Sequence, residues 1–303
     1  MKVVFNNPLF LLITTGTLFG LYFPLGKVAG EISISAIAWA LVVSVGACLV
    51  LLPILIVKRS FKLPRGATLR YVSIAGLISF VVPNLLLFSV IPHVGAGYTG
   101  LMFALSPVFT LAVALIFRLK GPNLIGVIGI ALGCIGAVVT AYGRGLSADA
   151  TTVFWLGAAL LIPLVLASAN VYRTIDWPEG ACPDSLAFWS HFVSIIVLVI
   201  LLLAVEGAEA LYPLYGEAAL TMTQALLAGL TFPLYFRLQR YGGPVMLSQV
   251  GYVAAVVGML TATVLLNEQY GFLTWVGAAI IAIGIAATIC SQFSEVGKRA
   301  KRA

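Results

Sequence analysis

The residues of this 303-residue chain whose types could do chemistry are amides and phenols standing inside long apolar runs: Tyr22, Asn84, Tyr98, Asn170, Tyr172, Tyr235, Gln249 and Tyr252. Polar groups are costly in such surroundings, so each implies either a site or a hydrogen bond between helices. Amides and phenols recognise a small molecule; they do not make a catalytic centre. Pro83 precedes Asn84, and Pro24, Pro107 and Pro233 interrupt other apolar runs, freeing backbone carbonyls that only protein or a wet cavity can satisfy. Such prolines mark hinges or the site itself. Asn84 and Gln249, far apart in the chain, are expected to cap one substrate from opposite sides.

Catalytic signatures are missing from the sequence. There is no H-E-x-x-H, G-x-S-x-G or phosphate loop, and His93 and His191 are too far apart to make a metal pair. No carboxylate stands in the middle of an apolar run, so neither a cofactor, a metal nor proton coupling through a central acid is expected. The segment Gly95-Ala96-Gly97-Tyr98-Thr99-Gly100 matches G-x-G-x-x-G literally. A dinucleotide fingerprint needs a strand before it and an acidic residue about 20 positions on. Here a helix-length apolar run precedes it and Arg118 and Lys120 follow, so the glycines are read as a tight turn with close helix packing. Cys48, Cys134 and Cys290 lie in apolar runs and Cys182 in a connection; they are read as reduced thiols with no chemical task.

The elements that position these residues follow from the charges. Intervals free of Asp, Glu, Lys and Arg run over residues 3–26, 32–57, 71–117, 121–143, 150–172, 185–205, 218–236, 241–267 and 269–294. A spanning helix needs about 20 apolar residues to cross about 30 Å of hydrocarbon. The interval 71–117 is broken near its middle by Ile91-Pro92-His93-Val94-Gly95 and holds two crossings, which makes ten. Composition agrees: 61% hydrophobic and 9% charged residues, with a mean hydropathy of +1.11, exclude a soluble domain. The first run is too long for a secretory signal and lacks an A-x-A-like site, so it is read as an uncleaved first helix.

The net charge of +7 is a topology signal, not a nucleic-acid footprint. With the N-terminus in the cytoplasm, 15 of the 17 Lys and Arg fall inside, leaving only Lys27 and Arg144 outside. Both termini are therefore expected in the cytoplasm, with Lys58 to Arg70 inside and Glu206 to Glu217 outside. Trp39, Trp155 and Trp275 near outer helix ends, and Trp177 and Trp189 near inner ones, read as interfacial belts.

Five helices per half is an odd number, so a duplicated unit would be inverted in the membrane. At an offset of 148, Phe88 falls on Phe236, Gly95 on Gly243, Gly129 on Gly277 and Gly136 on Gly284. The expected architecture is an all-α membrane protein of ten transmembrane helices in two inverted five-helix repeats, residues 1–147 and 148–294, followed by a basic cytoplasmic tail, 295–303. The glycines of the fifth and tenth helices are expected to pack these helices closely, or to form a homodimer seam.

Ser106-Pro107-Val108-Phe109 with Gly129 and Gly136, and Asn267-Glu268 with Gly277 and Gly284, resemble two EamA-type domains. Over essentially the whole chain the sequence resembles the ten-helix drug/metabolite transporter superfamily. Lys120 departs from the pattern where the family often has an acidic residue, and Trp39 where an Arg is frequent. The resemblance implies that helices one, three, four, six, eight and nine line a central cavity, and every amide and phenol named above lies on one of them. It implies a secondary transporter of the bacterial inner membrane moving a small organic metabolite by alternating access; the amides and phenols, with no fixed Arg pair for a phosphate, point to a neutral or zwitterionic substrate, for example amino acid-like. A membrane-embedded enzyme or a non-transporting receptor is the alternative.

Overall fold

The computed structural model describes residues 7–119, 123–143 and 150–300. Lys2, Lys120, Arg144, Lys301 and Arg302, and the expected boundary between the two halves, lie outside the described residues. The described chain is helical: α1 Pro8–Glu31, α2 Ala36–Val57, α3 Ala67–Val94, α4 Ala96–Ile116, α5 Leu124–Gly143, α6 Ala150–Ile175, α7 Pro183–Val205, α8 Ala218–Ser248, α9 Val250–Leu266 and α10 Phe272–Ala300. Among the described residues, seven of these (α1 to α4 and α6 to α8) are long and apolar enough to cross a membrane, and α5, α9 and α10 carry shorter apolar stretches. Large apolar side chains such as Leu49, Ile116, Ile200 and Val264 stand on the outer surface, where only lipid suits them.

Three of the four singled-out prolines break their helices. A proline lacks the N–H and its ring collides with the carbonyl four residues back. α1 turns at Leu21 ahead of Pro24, α3 widens into a π-turn over Leu77–Val81 ahead of Pro83, and α4 tightens at Ala104 and Leu105 ahead of Pro107. At the last break the Ala104 and Leu105 N–H groups bond three residues back, to Leu101 and Met102 carbonyls. Pro233 sits within α8 without a break there; that helix breaks instead at Gly243, whose φ of 73° suits glycine. Gly95, between α3 and α4, has a similar extended, positive-φ backbone (φ 89°).

Packing pairs α5 with α10, α2 with α7, and α4 with α9. α1 lies on α8 and α9, while α6 lies on α3 and α4; α2 also packs on α8, and α7 on α3. In lipid no hydrophobic force drives helices together, so close backbone approach supplies the association energy. The α5–α10 contact shows it: a Cβ at Gly136 would lie 2.6 Å from the Gly277 carbonyl oxygen, and one at Gly284 would lie 2.6 Å from that of Gly129. These glycines are therefore engaged in packing within the chain. Trp39 corrects the belt expectation, since it is fully buried: α2 runs between α7 and α8, so a side chain near its end meets protein instead of headgroups.

Gly136→Ala should destabilise the protein by about 1–3 kcal/mol, because the added methyl meets backbone that cannot yield. Gly157→Ala, where nothing lies within 4 Å of the new Cβ, should leave stability unchanged or slightly raised. Thermal unfolding of both variants in detergent checks the contrast.

Candidate functional site

The chain's one fully buried arginine among the described residues organises the candidate site. Helix α6 runs past Tyr172 to Ile175, so Arg173, read from the sequence as a cytoplasmic loop charge, sits in its last turn with 0% exposure. Asn170 and Arg173, three residues apart, share one helix face, and Tyr235 and Gln239, four apart on α8, share another. α6 packs on α8, which brings the faces together.

Arg173 Nη2 donates to Asn170 Oδ1 at 2.7 Å, to the Tyr235 hydroxyl at 2.8 Å and to Gln239 Oε1 at 3.2 Å. The Tyr235 hydroxyl donates to Asn170 Oδ1 at 3.3 Å, and Asn170 Nδ2 donates to the Thr110 hydroxyl on α4 at 3.5 Å. Gln239 Nε2 ties the cluster to the Asn170 carbonyl at 3.2 Å and to Thr174 at 2.5 Å. The guanidinium also lies over the Tyr235 ring at 4.8 Å and the Phe236 ring at 5.7 Å. Beyond these stand Phe80, Phe232 and His191, the imidazole stacked 3.9 Å from Phe80 and 4.1 Å from Phe232.

Of the eight expected site residues, Asn170 and Tyr235 are thus joined by direct hydrogen bonds. Tyr22 reaches the same aromatic shell through Phe19, whose ring lies 4.9 Å from Tyr22 and 5.7 Å from Tyr235. Tyr172 points elsewhere and donates to Asp176 Oδ2 at 2.7 Å. Tyr252 donates to the Ile130 carbonyl at 3.2 Å, its ring lying against Gly133, which makes it a tie between α9 and α5. Tyr98, Asn84 and Gln249 are buried outside the Arg173 cluster; Asn84 Nδ2 and both polar atoms of Gln249 have no hydrogen-bond partner among the described residues.

Ion pairs close both ends of the helix bundle. At one end Asp176 binds Arg70, and the buried Asp184 accepts from Lys58 at 2.6 Å and from Arg237 at 3.2 Å. The Tyr172 hydroxyl, with partial burial opposing and Arg70 assisting, holds the Asp176 carboxyl below the ordinary aspartate value. At the other end Glu268 accepts from Lys27 at 2.7 Å, from the Ala96 and Gly97 N–H groups at 3.2 and 3.3 Å, and from the Tyr270 hydroxyl. Burial works against ionisation of Glu268, but the Lys27 and Tyr270 bonds and the Ala96 N–H outweigh it and keep the carboxyl below the ordinary glutamate value. The literal G-x-G-x-x-G thus opens α4 with free N–H groups that hold a carboxylate from the chain itself.

The EamA-like transporter family matches residues 6–142 and 152–290 of this chain. The uncharacterized inner membrane transporter YedA of Escherichia coli strain K12 is 26% identical over 278 residues, which cover 89% of this chain and 88% of YedA. YedA of Escherichia coli O157:H7 matches to the same extent. A protein of known crystal structure, 18% identical, shares the fold with a TM-score of 0.68 over 94% of this chain and 98% of its own. With a family match across both parts of the chain and helices fit for a bilayer, this protein is an integral membrane transporter and belongs to the EamA-like transporter family.

Proposed function

We propose that the protein is a secondary transporter in which ten helices cross a bacterial inner membrane as two inverted halves, residues 1–147 and 148–294, with both termini and the basic segment 295–303 in the cytoplasm. It moves a small organic metabolite by exposing a central site to each side in turn. The observation that carries this reading is how contacts exchange under a displacement of 148 residues. The approach of Gly136 to Gly277 becomes that of Gly284 to Gly129, and the Phe103 to Gly251 contact maps onto itself. Gly95 and Gly243 occupy equivalent positions with the same unusual backbone. Gly46 against Ala225 corresponds, within one position, to Gly76 against Ser194. Counted from Pro244, just past the Gly243 break, α9 gains the length to cross.

The ion pairs supply the gates. Lys27 with Glu268, Arg70 with Asp176 and Lys58 with Asp184 each join the first half to the second. Alternating access then requires the pairs at one end to separate while those at the other hold.

The topology has a direct check. After replacement of the native cysteines, a cysteine at the exposed Leu63 should react with an impermeant thiol reagent only from the cytoplasmic side, and one at the exposed Tyr215 only from outside. Labelling of both from the same side would contradict the inverted arrangement.

The outer gate has its own test. Glu268→Gln removes the ion pair and should shift the closed-to-open balance by about 1–2 kcal/mol, or about tenfold. A cysteine replacing the buried Thr99, one turn into α4, should then be labelled faster from outside. Because the folded carboxyl titrates below its ordinary value of about 4.3, its contribution is complete above that value and is lost as pH falls through the depressed one. Divided at each pH by the labelling rate of the exposed Tyr215→Cys, which removes the common fall in thiolate fraction, Thr99→Cys labelling in the protein with Glu268 intact should therefore stay flat from pH 7 down to the ordinary glutamate value and rise only below it.

A further inference from the structure

We infer that Arg173 is the carboxylate-recognition centre of the transported molecule, and that the substrate class is a small organic carboxylate, zwitterionic or anionic, with an apolar or aromatic body. The inference rests on the transport reading above and narrows it, since an uncharged molecule would leave this cation unanswered.

The argument begins with an unbalanced charge. A buried guanidinium is tolerated when a carboxylate faces it, because the desolvation cost otherwise amounts to several kcal/mol. No carboxylate pairs with Arg173 among the described residues. Asp176 and Asp184, at the same end of the bundle, are committed elsewhere, Asp176 to Arg70 and Tyr172, and Asp184 to Lys58 and Arg237, while Glu179 in the same connection is exposed. What surrounds Arg173 is neutral: two amides, a phenol and aromatic rings.

The donors are divided as unevenly as the charge. Nη2 faces three acceptors, which fixes the plane of the guanidinium. Nε and Nη1 are buried with no hydrogen-bond partner. Those two nitrogens carry three of the five N–H donors of the group. The Tyr71 hydroxyl, His191 Nε2 and Trp177 Nε1 are also buried and unpartnered, and Tyr71 and His191 lie within electrostatic reach of Arg173. A held plane with free donors is what a planar carboxylate requires.

Phosphate fits less well. Its second negative charge asks for a second cation in the cluster, whereas Arg70, Lys58 and Arg237 are held by Asp176 and Asp184 and Arg240 lies over the Trp177 ring at 5.6 Å. The apolar body follows from the shell, in which Phe80, Phe232 and Phe236 pack around the same face.

The test uses the full-length protein in lipid nanodiscs and matched probes: L-phenylalanine with L-phenylalaninamide, L-leucine with L-leucinamide, phenylacetate with phenylacetamide, and inorganic phosphate. At least one carboxylate should raise the melting temperature and its amide should not. Arg173→Gln should weaken that carboxylate by at least about tenfold, with Arg173→Lys, which keeps the charge but loses the fork, in between. Stabilisation by amides equal to that by their acids, by phosphate as much as by carboxylates, or by no carboxylate at all would overturn the inference. The comparison of acid with amide in the unaltered protein decides even where both variants fail to fold. Uptake into proteoliposomes separates the two readings: movement of an amide that is unchanged in Arg173→Gln overturns carboxylate recognition and leaves transport standing. Arg173-dependent carboxylate binding without any uptake supports the site and counts against transport.

Discussion

Close approach of backbones at small residues is the constraint on which the rest of this structure depends. Lipid tails are as apolar as the helix surfaces, so burying leucines between helices gains little; contact and dispersion must do the work. Gly46 against Ala225, Gly76 against Ser190, Gly251 against Phe103 and the α5–α10 glycines bring main chain against main chain in this way. These contacts hold together helices that are themselves interrupted. α1, α3 and α4 break ahead of Pro24, Pro83 and Pro107, and rings flanking two of the breaks, Phe23 of α1 and Phe103 of α4, meet at 5.4 Å. Two of the seams, at Gly76 and Phe103, lie directly beside such breaks, so close contact holds the helices where their own hydrogen bonding is interrupted.

Much of this was legible in the sequence, because lipid leaves few choices. Charge-free intervals located the helices, and the prolines and Gly95 located most of the breaks. Asn170 and Tyr235, singled out by the plain rule that an amide or phenol in an apolar run has a reason to be there, are brought together by the Arg173 cluster. Arg173 was missed for an equally physical cause: a basic residue at the end of a charge-free interval looks like a boundary marker, and nothing local shows that the helix continues one more turn and turns that face inward. The useful sign was the spacing, with Asn170 and Arg173 three apart opposite Tyr235 and Gln239 four apart, which makes two polar helix faces that can meet.

Other differences came from treating residue types singly. Trp39 looked like a belt residue because its position along α2 was near an end; what decided its burial was that α2 is covered by neighbours, a tertiary fact. Tyr172 and Tyr252 looked equivalent to Tyr235, yet one satisfies Asp176 and the other a carbonyl of α5. A phenol is as good a tie as a ligand, and only its partner shows which it is.

The distribution of acids ties the two ends of the molecule to each other. Glu31 is the only Asp or Glu before residue 148; the other nine follow it. Across both ends the first half therefore supplies the base, Lys27, Arg70 or Lys58, and the second half the acid, Glu268, Asp176 or Asp184. The halves attract at either face by the same kind of contact, each formed near the water boundary where a charge pair is neither cheap nor prohibitive to separate. On the alternating-access reading both ends open by breaking the same kind of contact, two pairs between the halves at the Asp176 and Asp184 end and one at the Glu268 end. Opening then costs most where two pairs must part, and on the proposed reading a ligand at Arg173 has to favour one state by an amount of that order, a few kcal/mol, to decide which end yields.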